Sequence, residues 1–337
     1  MSAREPHSSF PQEWAAARNG DDTDGVNPAD ITAVHGEGGA AAPPLPAAAA
    51  LPGAPRQARW EKGPRTDWPP WTAPVALFSA FVLAVVGGLL VEIPAGVLGA
   101  HITSSHVPGG VEIASTVVQD CAFVLSAIIF AGVGGRAVRA WQFGLRPPQM
   151  TLLRAGLAVF ATLAFFYVFS ITWEVLVHSE KEKLLESLGA NEGAALLLLS
   201  AALTCVVAPI CEEFLFRGFF FGALSNWRGP WPAAIVTGVV FGAVHIGSAP
   251  AVDLVPLGVL GFALCVLYRA SGSLYPCIAA HCINNSIAFG DLEGWTLWQY
   301  VLLMVLAGGA IALIGVALNR LGVIGAEPAV ADVPAGA

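Results

Sequence analysis

An all-α fold, specifically a polytopic transmembrane bundle of about eight helices, is what this sequence predicts, and three observations predict it. The 337 residues are 55% hydrophobic and only 12% charged, against about 25% charge in soluble domains. The mean hydropathy is +0.67. From Trp71 onward, apolar runs of the length that crosses a bilayer, about 20 residues, recur at 74–99, 111–133, 152–177, 194–224, 231–247, 252–270, 274–290 and 297–318. The net charge of −8 carries no information about partners, because several of the acids lie in the N-terminal stretch and short loops, where they are simply solvated. No basic stripe supports nucleic-acid binding, and no nucleic-acid partner is expected.

Residues 1 to about 70 are rich in Ala, Pro, Gly and acids, as in GEGGAAAPPLPAAAALPGAP, with no sustained hydrophobic period. The expectation is a disordered cytoplasmic tail. No positively charged segment followed by an apolar one opens the chain, so no cleaved signal peptide is expected. Residues 71–320 form the expected transmembrane domain, and 321–337 a short cytoplasmic tail.

The basic residues orient the helices. With the tail inside, Arg56, Arg59, Lys62, Arg65, Arg136, Arg139, Arg146, Arg154, Arg228, Arg269 and Arg320 are cytoplasmic, and only Lys181 and Lys183 are outside. This fits the positive-inside rule with both termini cytoplasmic, in a multi-pass protein of the cell membrane. Trp60, Trp68, Trp71, Trp141, Trp227 and Trp231 fall near the inner boundary, and Trp173, Trp295 and Trp298 near the outer one, as interfacial tryptophans do. The six cysteines, Cys121, Cys205, Cys211, Cys265, Cys277 and Cys282, all lie in apolar runs. They read as small packing residues rather than a disulfide framework.

The fourth run contains VAPICEEFLFRGFFFGAL, Val207 to Leu224, with two carboxylates and a guanidinium in six residues. A charge in the bilayer interior costs at least a few kcal/mol, so such groups face a partner or a wet cavity and are functional suspects. On a helix Glu213 and Arg217 share a face and can pair, whereas Glu212 points elsewhere. Glu213 is therefore expected to be neutralised and Glu212 free. Because Gly218 to Leu224 is apolar again, the helix is expected to continue past Arg217 and hold the glutamates deep.

Of seven histidines, two lie in membrane runs: His245 in FGAVHIG and His281 in PCIAAHCINNS. Both are expected on helices, beside the small residues Gly242 and Ala243 or Ala279 and Ala280, which permit close helix approach. Asn285 follows His281 on the same face and can donate beside it. A lone buried histidine is ordinarily structural, but two of them with Asn285 and an unpaired Glu212 form a polar cluster. His7 and His35 belong to the tail, His101 and His106 to an outer loop, and His178 with Glu174 to the outer boundary. Glu92, Glu112, Asp120 and Asp253 lie at or near helix ends, Asp120 deepest, with a structural hydrogen bond expected for it.

These pieces resemble the CPBP family, the CAAX proteases and bacteriocin-processing enzymes also called Abi proteins. The EExxxR motif reads Glu212-Glu213-Phe214-Leu215-Phe216-Arg217, FxxxH reads Phe241-Gly242-Ala243-Val244-His245, and HxxxN reads His281-Cys282-Ile283-Asn284-Asn285. The lead-in Ser271-Gly272-Ser273-Leu274-Tyr275-Pro276 is similar to the family's TGSLWxP, with Ser for Thr and Tyr for Trp. The likeness covers about residues 190–290.

The resemblance implies an intramembrane endopeptidase opening toward the cytoplasm and the lipid. In it Glu212 and His245 activate a water, His281 and Asn285 stabilise the oxyanion, and Glu213 and Arg217 support them. No cofactor is expected. The alternative is a zinc site of Glu212, His245 and His281, a ligand set that leaves a position for water. The expected partners are membrane lipid and a peptide or lipidated-protein substrate, of the CAAX or bacteriocin kind. Two other classes remain: a catalytically idle immunity or scaffold protein, and a proton-coupled carrier, for which no paired inverted repeat of broken helices is visible.

Overall fold

The computed structural model describes residues 66–103, 107–177, 193–322 and 324. They form eight helices and, among the described residues, no strand: α1 (Thr72–Val97), α2 (Gly109–Ala131), α3 (Leu152–Val177), α4 (Ala194–Arg228), α5 (Pro230–Ala243), α6 (Leu254–Ser271), α7 (Leu274–Leu292) and α8 (Leu297–Arg320). The protein is an all-α, multi-pass membrane bundle. Most of the expected tail at 1–70, nearly all of 321–337, and His7, His35, His106, His178, Lys181 and Lys183 lie outside the described residues. So do Trp60, Arg56, Arg59, Lys62 and Arg65.

Six segments are long and apolar enough to cross a membrane: Thr72–Val97, Gly109–Ala131, Leu152–Val177, Ala194–Arg228, Ala251–Ser271 and Leu297–Arg320. The expectation that all eight runs span by themselves is corrected at two. Helix α5 has only 14 residues, about 21 Å at 1.5 Å per residue, short of the ~30 Å hydrocarbon core. Helix α7 carries His281, Asn284, Asn285, Ser286 and Asp291, and that polarity costs it the apolar character of a lipid-facing span. These two short or polar helices are the ones that carry the candidate histidines or end beside them.

Helix α4 is one run from Ala194 to Arg228, which places Glu212 near its middle. It is not uniform. Two π segments, Leu203–Val207 and Phe214–Phe220, flank Ala208–Glu213. Pro209 lacks an N–H and its ring crowds the carbonyl four residues back, which loosens the preceding turn. Single π turns of this kind rotate a helix face locally and recur at functional sites.

The core has two main clusters that meet at α4. One joins α1, α2 and the loop at Phe143 to Leu215, Phe216, Phe219, Phe220 and Phe241; the other joins α3, α5, α6 and α7 around Leu260, Leu264 and Leu274. Helix α8 packs against α7 but buries only Ala307.

Trp68, expected at the membrane boundary, is instead 1% exposed, with ring centroids 5.1 Å from Phe143 and 5.0 Å from Phe219. The Asn226 side-chain amide donates to the carbonyls of Thr66 and Trp68, both at 2.9 Å. The segment before α1 is thus tied into the bundle. Trp71, Trp227, Trp231 and Trp298 are exposed, as interfacial residues should be. All six cysteines are unbridged, and only Cys121 is exposed.

Helices α5 and α6 cross backbone to backbone. A Cβ at Gly238 would lie 2.7 Å from the Gly258 carbonyl oxygen and 2.9 Å from the Phe262 nitrogen, and one at Gly242 would collide with the Leu254 carbonyl. Gly238→Ala is therefore expected to lower stability by about 1–3 kcal/mol through overpacking. Gly156→Ala, in open space on α3, is expected to be neutral or stabilising, with thermal melting in detergent as the readout.

Candidate active site

The lead-in to α7 is a clamp that sets the helix in register. Gly272 takes the left-handed conformation, φ 66°, that ends α6, as glycine does at helix C-termini. Ser273 caps α7, accepting from the Tyr275 N–H at 3.3 Å. Its hydroxyl donates to the Arg146 carbonyl at 2.6 Å, and Arg146 Nε donates to the Gly272 carbonyl at 2.9 Å. Arg146, expected as a cytoplasmic charge, is 7% exposed and braces this turn. The Gln149 and Leu274 N–H groups add bonds to the Ser271 and Gly144 carbonyls at 2.7 and 2.9 Å. Two turns along α7, the clamp delivers His281 to α4.

Glu213 and Arg217 are paired as their spacing predicts. Arg217 Nη1 donates to Glu213 Oε1 at 2.7 Å, and both side chains are 0% exposed. Arg217 Nη2 donates to the Gly261 carbonyl at 3.1 Å, and its guanidinium carbon lies 4.3 Å from the centroid of the Phe241 ring, a cation–π contact. The same Glu213 oxygen lies 2.9 Å from His281 Nδ1. A carboxylate oxygen accepts, so Nδ1 carries a proton and Nε2 is turned away from Glu213.

Glu212 is the carboxylate left over. Its Oε2 is buried with no hydrogen-bond partner among the described residues, and it lies 3.8 Å from His281 Nε2. That separation is too long for a direct hydrogen bond and suits a bridging water.

His245 is not on a helix, as expected from its run; α5 ends at Ala243 and His245 sits in the turn beyond it. Its Nδ1 donates to the Phe241 carbonyl at 2.7 Å, which leaves Nε2 as the free nitrogen. The Phe241 ring stands 5.0 Å from the His245 ring and 5.7 Å from that of His281, centroid to centroid. Phe241 therefore holds both imidazoles and covers Arg217. The short α5 thus puts His245 at the end of a truncated helix instead of in its wall.

Asn285 differs from the expectation. Its Nδ2 donates to the Thr204 carbonyl at 3.0 Å and its Oδ1 accepts from Asn284 at 3.3 Å. Thr204 lies in the first π segment, where widened turns leave carbonyls in need of donors. One amide N–H therefore holds α4 to α7, and the second remains. Asn284, missed in the sequence reading, accepts from the Tyr167 hydroxyl at 3.2 Å and so ties α3 to the same place.

Asp120 overturns its expectation. It is 2% exposed, and neither carboxylate oxygen has a hydrogen-bond partner among the described residues. Glu174 and His101 are exposed, while Glu92 and Glu112 line a separate half-open cavity between α1 and α2.

No group of three or more His, Cys, Asp or Glu among the described residues is arranged to hold a metal ion. His281 Nδ1 is committed to Glu213, so the ring nitrogens left to meet a water or a metal are Nε2 of His281 and Nε2 of His245.

Residues 194–287, the segment that holds Glu212, Glu213, Arg217, Phe241, His245, His281, Asn284 and Asn285, match the family model described as "Type II CAAX prenyl endopeptidase Rce1-like". The chain is 29% identical over 121 residues to a Bacillus subtilis (strain 168) protein named "Putative membrane peptidase YdiL", across 36% of this chain and 45% of that one. It is 24% identical over 126 residues to "UPF0177 protein YxdF" of Lactococcus lactis subsp. lactis, across 36% and 68%. An uncharacterized protein of Mycoplasma capricolum is 31% identical over 93 residues, 27% of each chain. The chain thus spans less than half the length of the Bacillus and Mycoplasma relatives. No solved structure matches significantly. Through this segment the chain is similar to CPBP-family proteins.

Glu213→Ala would leave Arg217 and His281 buried without their shared acceptor. The expected cost is about 3–5 kcal/mol, seen as a lower melting temperature in detergent. Glu212→Gln removes a carboxylate oxygen that has no partner and is expected to leave melting unchanged or raise it.

Proposed function

We propose that the protein is an intramembrane endopeptidase that hydrolyses a peptide bond in a membrane-anchored or small peptide substrate, with water as the nucleophile. The observation that carries this is Glu212: a carboxylate at mid-helix whose Oε2 is buried without a hydrogen-bond partner among the described residues, 3.8 Å from the free nitrogen of His281, while its neighbour Glu213 is neutralised by Arg217.

In this reading Glu212 is the general base that takes a proton from water as the water oxygen attacks the peptide carbonyl carbon. His281 receives that proton at Nε2 and returns it to the leaving amine, with Glu213 holding the ring through Nδ1 and balancing the charge that develops. This is the logic by which a carboxylate orients a catalytic histidine. His245, with Nδ1 fixed by Phe241, presents Nε2 to the same water. The remaining Asn285 N–H is the donor for the oxyanion. No step in this reading needs a metal.

The family match to a CAAX prenyl endopeptidase type favours a lipid-anchored tail as substrate, and bacteriocin-type processing is the other class this site could serve. Placement in the cell membrane with both termini cytoplasmic belongs to the same reading.

Membranes from cells with the native chain and with Glu212→Gln should differ in their peptide content, uncleaved substrate accumulating in the variant. Cleavage of that substrate by purified protein should fall by about 10²–10⁴-fold. Unchanged cleavage by the variant contradicts the peptidase reading. Full activity after chelation, with no metal found in the purified protein, is the expected result for a metal-free centre.

A further inference from the structure

Helix α2 lies outside the family-matched segment, yet it packs along α4 on both sides of Glu212. It brings Asp120 into the protein interior. An acid with both oxygens buried and unpartnered is costly and calls for an explanation. Among the described residues no arginine, lysine or histidine forms an ion pair with it. Helix α2 contacts the Ala208–Glu213 stretch of α4, where Glu212 Oε2 is likewise buried without a hydrogen-bond partner among the described residues. Helix packing alone gives no reason to place Asp120 there, since an alanine or leucine on α2 would fill the position without penalty.

Resting on the peptidase reading above, we propose that Asp120 is a further residue of the hydrolytic centre: with Glu212 it holds the attacking water between two carboxyl groups. A water molecule has two hydrogens. Donated one to Glu212 Oε2 and one to Asp120, they satisfy oxygens that otherwise have no partner and turn a lone pair of the water toward the substrate carbonyl. As the carbon–oxygen bond forms, Glu212 takes its hydrogen as a proton and passes it through His281 to the leaving amine. Asp120 keeps hold of the other hydrogen and neither gains nor loses a proton over the cycle. Its contribution is orientation, and misplacing a reacting atom by about 1 Å costs about 100-fold in rate.

The test uses the full chain in cell membranes and purified in detergent, as native protein and as Glu212→Gln, Asp120→Asn and Asp120→Ala. The substrate is a peptide that accumulates in Glu212→Gln membranes. The proposal expects Asp120→Ala to accumulate the same peptide and to lower kcat by about 100-fold with KM nearly unchanged and a melting temperature equal to or above native. Asp120→Asn, whose amide oxygen still accepts one hydrogen, should fall between. If Glu212→Gln accumulates substrate while both Asp120 variants cleave at the native rate, this inference is overturned and the peptidase reading stands. Loss of activity matched by loss of folded protein in both variants assigns Asp120 a structural role and likewise overturns it. A Glu212→Gln variant with unchanged membrane peptides overturns the peptidase reading and this inference together.

Discussion

The arrangement depends on one buried carboxylate oxygen, Oε1 of Glu213, which accepts from two donors at once. Arg217 approaches it at 2.7 Å and His281 Nδ1 at 2.9 Å. In an apolar medium neither a bare glutamate nor a bare guanidinium is tolerable, so the pair must form. Once it has formed, the histidine from α7 has a fixed direction. Glu212, one residue earlier on α4, is then the acid outside that pair, with its Oε2 3.8 Å from His281 Nε2. A pairing forced by electrostatics thereby separates two adjacent, chemically identical side chains into a brace and a reactive group.

The irregular parts of the fold follow from the same demand. The first π segment of α4 is held by Asn285 at the carbonyl of Thr204, so the helix that carries the acids is stitched to the helix that carries the imidazole. The glycines of α5 and α6 let those helices touch at their backbones, which lays Phe241 over Arg217 and lets Gly261 accept from it. The turn at Ser271–Ser273, braced by Arg146, fixes where α7 begins. Each of these is a local cost in regular helix geometry, offset by positioning three polar side chains within a few ångströms.

Much of this was legible in the sequence, because membrane helices announce themselves by length and a period of 3.6 residues makes an i, i+4 acid–base pair visible. The eight helices, the Glu213–Arg217 pair, the deep Glu212 and the continuation of α4 past Arg217 followed from spacing alone. What spacing does not carry is where a helix stops. The run 231–247 is apolar throughout, so the end of α5 at Ala243 and the position of His245 in a turn were hidden. Nor does an i, i+4 relation say what lies opposite: Asn285 shares a face with His281 but turns its amide to a carbonyl that only the π segment exposes. Trp68 sits in a Pro-flanked stretch that looks like tail, and its partners Phe143 and Phe219 are distant in sequence. Asp120 stood out as the deepest acid, but its neighbour across the helix interface could come only from the packing of α2 on α4.

The most direct test of the central arrangement is the protonation pattern of the two imidazoles, read by nitrogen NMR on histidine-labelled protein in detergent, with signals assigned by single His→Gln variants. The account predicts a proton on Nδ1 of His281 that is lost or displaced in the Glu213→Ala protein, and a proton on Nδ1 of His245 that is indifferent to that change. A native His281 with its proton on Nε2 and a bare Nδ1 would contradict it.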